Sequence, residues 1–129
     1  MARIVVVEDA DANVEILTRL LTRSGHEVIV AGTRDAAVET IRQEKPALVL
    51  MDIGIPNSDG DEVNMMGGLE VTEAVRADQH TAGIPIIATS ASAMPDDKQR
   101  FRDAGCNDIV SKPYDFTELL ETINKHISG

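Results

Sequence analysis

Short runs of apolar residues alternate along the chain with segments whose apolar positions recur every three or four residues. Ile4–Val7 is a β-branched run without polar interruption, the pattern of a strand buried on both faces. Asn13 to Arg23 follows with Val14, Leu17 and Leu21 on one stripe, widened by Leu20, and Gly25 predicts its end. Val28–Ala31 reads as a second strand, and Asp35 to Gln43 as a second helix carrying Ala37, Val38 and Ile41, closed by Pro46. Ala47–Met51 is a third strand. A third helix is predicted from about Leu69 to Ala77, with Val71 and Val75 one turn apart. Ile86–Thr89 forms a fourth strand with Pro85 at its mouth. Pro95 to Ala104 forms a helix with Pro in its first turn and Gly105 past its end, and Ile109–Ser111 a short fifth strand. In the last helix Asp115 and Glu118 have capping-box spacing, and Phe116, Leu119, Leu120, Ile123 and Ile127 form the apolar stripe.

Five strand–helix units joined by short connections predict an α/β fold: a doubly wound, five-stranded parallel sheet with helices on both faces. A chain of 129 residues is one domain's worth, with no interdomain linker, and no output domain is expected after Ile127. The stretch from Asn57 to Gly68 breaks the rhythm. Gly60 and Gly68, Glu62 and Glu70, and Val63 and Val71 are each eight residues apart, so it reads as a short tandem duplication, an inserted loop at about 57–67. A long loop in a compact domain is functional or unstructured.

Charge narrows the function. The formal net charge is −10, which repels phosphate backbones and anionic membranes, so neither nucleic acid nor membrane is an expected partner. Only Phe101, Tyr114 and Phe116 are aromatic, so the core must be aliphatic. Cys106, alone, excludes an internal disulfide and reads as a small buried thiol. No apolar run reaches membrane-spanning length and none resembles a signal-peptide core, so a cytoplasmic location is expected. His26, His80 and His126 lack metal-ligand spacing and read as surface histidines.

In an open parallel sheet, sites form beyond the carboxyl ends of the strands. Those ends here carry Glu8 and Asp9, Asp52, Thr89 and Ser90, and Lys112 and Pro113. Taken singly, an acid or serine at a strand end is commonly a cap or turn residue, and a lysine a surface residue. Together they place three mutually repelling carboxylates, a hydroxyl and an ammonium at one edge. A hard divalent cation and a phosphoryl group resolve that charge pattern.

At this point the residues resemble the receiver domain of bacterial two-component response regulators, the CheY-like family. The resemblance spans the whole chain. It rests on Val5–Asp9, Leu48–Pro56, Pro85–Ala91 and Ser111–Tyr114, in that order on successive strands. It implies strand order 2-1-3-4-5 and a phosphorelay function rather than a conventional enzyme. Asp52 matches the phospho-accepting aspartate. Asp9, Asp52 and the Gly54 backbone carbonyl match the ligands of Mg²⁺ (or Mn²⁺), with Glu8 supporting. Ser90 and Lys112 match the switch hydroxyl and the phosphoryl-contacting lysine, and the Lys112–Pro113 bond should be cis. Small residues at Gly54 and Ser92 flank the site, where phosphoryl lifetime would be tuned. The implied partners are a histidine kinase or histidine phosphotransfer protein upstream. Downstream, a protein target would be met through the face of helix four, strand five and helix five.

Three positions depart from the family pattern. Glu8 stands where a second Asp is usual, Ile109 replaces the aromatic switch residue, and the 57–67 stretch is extra. Deleting eight of its residues is expected to spare phosphorylation and alter partner choice. Other readings are a pseudo-receiver that only binds partners, a haloacid-dehalogenase-type hydrolase and a flavin binder. Gly54 disfavours the hydrolase, which needs a second Asp there, and the lack of flanking aromatics disfavours the flavin binder.

Overall fold

The uninterrupted apolar strands are buried on both faces, and their residues divide by parity between two cores. A computed structural model describes residues 2–91 and 94–127; Ser92 lies outside them. The parallel sheet contains β1 (Arg3–Val7), β2 (Glu27–Ala31), β3 (Leu48–Asp52), β6 (Ile86–Ser90) and β7 (Asp108–Ser111) in the order β2-β1-β3-β6-β7. The helices are α1 (Asp11–Arg23), α2 (Arg34–Glu44), α3 (Gly67–Ala77), α4 (Pro95–Ala104) and α5 (Phe116–Ile127). This is the expected 2-1-3-4-5 order of parallel strands.

Val5, Val7, Val49, Met51, Ile86 and Ala88 face one way and pack on Ala37, Ile41, Leu69, Val75 and Phe101 of α2, α3 and α4. Ile4, Val6, Leu48, Leu50 and Ile87 face the other way, onto Leu17 and Leu21 of α1 and Leu119 and Ile123 of α5. Both cores are almost wholly aliphatic.

Local signals hold at several helix ends. The Thr33 hydroxyl accepts the Ala36 N–H at 3.1 Å, and the Asp115 carboxylate accepts the Glu118 N–H at 3.1 Å. Gly105, at φ 117°, closes α4 in the left-handed conformation that favours glycine.

Two expectations are corrected. Phe116, placed in the apolar stripe of the last helix, is 45% exposed. As the first residue of α5 it lies before the turns that meet the sheet, and lines a surface depression with Ile16 and Tyr114. The strict strand–helix alternation is also broken. The stretch expected to be a loop forms an antiparallel hairpin, β4 (Ile55–Pro56) with β5 (Val63–Asn64). Its strands are two residues each, too short for the period-two pattern to register.

One long-range clamp was not foreseen. Arg76 of α3 donates to the carbonyls of Gly105 (3.0 Å), Ala82 (2.9 Å) and Ile84 (2.7 Å), and to Asn107 Oδ1 (2.7 Å). It ties α3 to the chain entering β6 and to the end of α4. Arg76→Met keeps the apolar stem but orphans these acceptors, and should cost about 2–3 kcal/mol. Urea unfolding checks this; a change below ~0.5 kcal/mol, the size of an ordinary surface substitution, would show that water replaces the guanidinium freely.

Candidate functional site

Strand register assembles the site. Val7 lies opposite Met51, so Glu8 comes level with Asp52 where the strand order reverses between β1 and β3. Asp52 pairs with Thr89, and Ser90 with Ser111, which brings Lys112 to the same edge. The Lys112 N–H donates to the Ser90 carbonyl at 2.9 Å, and the Lys112–Pro113 bond is cis.

Asp52 is buried and held at both ends. Its Oδ1 accepts the Gly54 N–H at 3.2 Å and its Oδ2 accepts Lys112 Nζ at 2.9 Å. Lys112 Nζ also lies 3.5 Å from Glu8 Oε1. Burial alone would lower the Lys112 pKa, but hydrogen bonding and attraction to Asp52, aided by Tyr114 and Glu8, outweigh it and raise it. Burial pushes the Tyr114 hydroxyl up as well, opposed by Lys112 and by a hydrogen bond to Thr89.

Glu8 is 2% exposed, and Asn13 Nδ2 donates to its Oε1. Among the described residues its other oxygen, Oε2, has no hydrogen-bond partner. Burial first, then the neighbouring Asp52 carboxylate, push the Glu8 carboxyl up to about 8, against the opposing pull of Asn13 and Lys112. Asp9 is exposed at the rim, and one carboxylate oxygen from each of Glu8, Asp9 and Asp52 lies within 4.8 Å of the others. An all-oxygen donor set with an orphaned buried carboxylate oxygen fits a hard divalent cation such as Mg²⁺.

Asp52, Gly54, Ser90 and Lys112 share a cavity of about 380 Å³ with Val63, Met65 and Met66 of the hairpin region and Arg100 of α4. Glu8, Asp9, Asp52, Gly54, Ser90 and Lys112 are thus brought to one place. Ile109 is not among them: it is half-buried in β7, opposite Ala88, and packs on the core. The sequence reading missed Asn13, the hairpin wall and Arg100. Asn13 lies in the first turn of α1, and an Asn after an acidic pair is a weak signal. The hairpin and Arg100 reach the site only through tertiary structure.

α3 must approach this edge closely. A Cβ on Gly68 would stand 2.4 Å from the Asp52 carbonyl oxygen, and the Gly68 N–H donates to the Ile53 carbonyl at 2.8 Å. Gly→Ala within a helix ordinarily stabilises. Here Gly68→Ala must displace the backbone of Asp52 or the start of α3, with an expected cost of about 3 kcal/mol. A melting temperature at or above the native value would show that the helix start shifts without strain.

Comparison with known proteins gives one consistent answer. Residues 4–124 match the family model of the response regulator receiver domain. The chain is 34% identical over 124 residues to the polar-differentiation response regulator DivK of Brucella ovis, covering 96% of this chain and 94% of that one. A putative response regulator from Chloroflexus aurantiacus superposes with a TM-score of 0.86 at 25% identity, over 99% of this chain and 98% of that one. The receiver domain of a Pseudomonas aeruginosa sensor histidine kinase, which has a magnesium ion coordinated in its active-site cleft, gives 0.85 at 27% identity over the same shares.

Proposed function

Because the chain belongs to the response regulator receiver domain family of two-component signalling, we propose that its Asp52 accepts a phosphoryl group and that the acyl phosphate so formed is the signal. The family is one of signalling regulators rather than conventional enzymes. The observation that carries the assignment to Asp52 is its geometry: a buried carboxylate at the sheet's switch point, oriented through Oδ1 by the Gly54 N–H and through Oδ2 by Lys112 Nζ at 2.9 Å.

In this reading an Asp52 oxygen attacks the donor's phosphorus. The bond from phosphorus to the donor's nitrogen or oxygen breaks, and the donor keeps the electron pair. Asp9, Asp52 and the Gly54 carbonyl would hold Mg²⁺ (or Mn²⁺), with Glu8 supporting. When bound, the ion neutralises charge on the transferred oxygens. Lys112 exchanges part of its contact with Asp52 for a phosphoryl oxygen, and Ser90 donates its hydroxyl to another. With Ile109 at the position where the family carries its aromatic switch, the change passes on through Ser90 and the chain that follows it rather than through a rotating ring.

The donor in this proposal is a histidine kinase or histidine phosphotransfer protein, and a protein target reads the face of α4, β7 and α5. The acidic surface argues for no direct nucleic-acid contact. Among the described residues no helix is long and apolar enough to cross a membrane, which suits a cytoplasmic site of action. The test is incorporation of an acid-stable, base-labile phosphoryl group from acetyl phosphate, dependent on Mg²⁺ and on residue 52.

A further inference from the structure

The hairpin does more than connect β3 to α3. A polar cluster fixes its base: Asn64 Nδ2 donates to Asn57 Oδ1 (2.8 Å) and to Glu70 Oε1 (3.2 Å), and Asn64 Oδ1 accepts the Met66 N–H (2.9 Å). Glu70 in turn pairs with Arg34 Nη1 at 2.7 Å, and the Asn57 carbonyl accepts the Asp35 N–H at 3.1 Å. The hairpin is thereby tied to the starts of both α2 and α3. A tight turn closes its tip, where the Asp61 N–H reaches the Ser58 carbonyl at 3.1 Å and the Ser58 hydroxyl reaches Asp61 Oδ2 at 2.7 Å.

This anchored hairpin places apolar side chains in the wall of the cavity that Asp52 also lines. Gly54, whose N–H holds Asp52, has no side chain to cover it. A Cβ there would meet Val63 Cγ1 at 3.4 Å and Met65 Sδ at 3.6 Å. The space above Gly54 is therefore filled from the hairpin. Val63 and Met65 also line the cavity that opens from Asp52, and they are 51% and 72% exposed. Two exposed apolar side chains at one cavity wall contribute little to the core. Their placement needs another reason.

We propose that Val63 and Met65 are water-excluding residues that set the lifetime of the phosphoryl group on Asp52. The proposal rests on the phosphoacceptor reading of Asp52. Loss of the group is hydrolysis: a water oxygen bonds to phosphorus, the bond from phosphorus to the Asp52 oxygen breaks, and Asp52 departs as the carboxylate. Inorganic phosphate leaves with the water's oxygen. In-line geometry puts the entering oxygen opposite the Asp52 oxygen, on the side where the cavity opens. An apolar wall there lowers the chance of a positioned water, because it offers no hydrogen-bond partner to orient one. A phosphodonor enters on the same side, so the same wall limits the bulk of the donor's leaving group.

The full chain is labelled with acetyl phosphate in Mg²⁺, freed of donor, and followed for loss of the phosphoryl group. The variant Val63→Ala/Met65→Ala is compared with Glu62→Ala, which removes an exposed charged side chain next to Val63 on the same hairpin. The double variant should lose label roughly tenfold faster than the native chain, equivalent to ~1.4 kcal/mol in the barrier, and Glu62→Ala within about twofold of it. Both parent side chains lie at the surface, and circular dichroism confirms the fold of each variant. A double variant that keeps the native half-life overturns the shield while leaving the acceptor reading intact. Equal acceleration in Glu62→Ala overturns it too, since the hairpin as a whole would then be responsible. A native chain that takes no label overturns the acceptor reading itself, and this proposal with it.

Discussion

Asp52→Asn should abolish phosphoryl incorporation from acetyl phosphate in Mg²⁺, reducing it to background while the fold persists. The amide has nearly the volume of the carboxylate and can still accept the Gly54 N–H that Asp52 Oδ1 accepts at 3.2 Å. It lacks the anionic oxygen that attacks phosphorus, and it removes one of the three acids that would hold the cation. Lys112 would retain the Glu8 carboxyl, 3.5 Å away, as its remaining acidic neighbour. The measurement is phosphoryl retention through acid quench and its release by base, with mass spectrometry to locate the site. Labelling of Asp52→Asn at the native level would assign the acceptor elsewhere and remove the basis of the functional reading.

Glu8→Gln should stabilise the metal-free protein in alkaline solution and weaken its response to Mg²⁺. Burial, with Asp52 adjacent, pushes Glu8 up to about 8 from an ordinary value near 4.5. Between those two values the folded chain holds a proton that the unfolded chain has released. Stability therefore falls as pH rises through this window, and the full cost is present above the folded value. Glutamine does not titrate, so the variant lacks this slope. At pH 8.5, with metal chelated, Glu8→Gln should be more stable than the native chain by on the order of 2–4 kcal/mol. Mg²⁺ at millimolar concentration should recover most of that difference in the native chain, because binding to the folded state alone adds stability by mass action. Glu8→Gln should recover less. Parallel denaturation curves at pH 5.5 and 8.5, with and without Mg²⁺, measure both effects. Superimposable pH profiles for native and variant chains would show that Glu8 is ionised in the folded, metal-free state.

Asn13 makes this site harder to read from sequence than its acids suggest. It lies five positions after Glu8, in the first turns of α1, and donates to Glu8 from there. No periodicity marks it, because a polar residue on an exposed helix turn looks the same whether or not it reaches a neighbour. Arg76 is similar: one arginine in a helix of ordinary composition, whose four partners lie six to thirty-one residues away. Phe116 errs the other way. Apolar and correctly spaced for the stripe, it begins α5 beyond the reach of the sheet.

The pattern of residues by itself determined the five parallel strands, their alternation with five helices, and the edge on which the acids and Lys112 gather. Each follows from local physics: β-branched runs bury on two faces, helical stripes on one, and parallel strands direct all their carboxyl ends to one side. The residues Glu8, Asp9, Asp52, Ser90 and Lys112 were legible for that reason, since each stands at the carboxyl end of a strand or within two residues past it. Only the tertiary structure decided what else lines the cavity at Asp52. The hairpin at Val63–Met65 and α4 at Arg100 meet there because Asn64, Glu70 and Arg34 fix the hairpin's base and α3 packs against the sheet. Those contacts join segments up to tens of residues apart, and their energy depends on distances that no local period encodes.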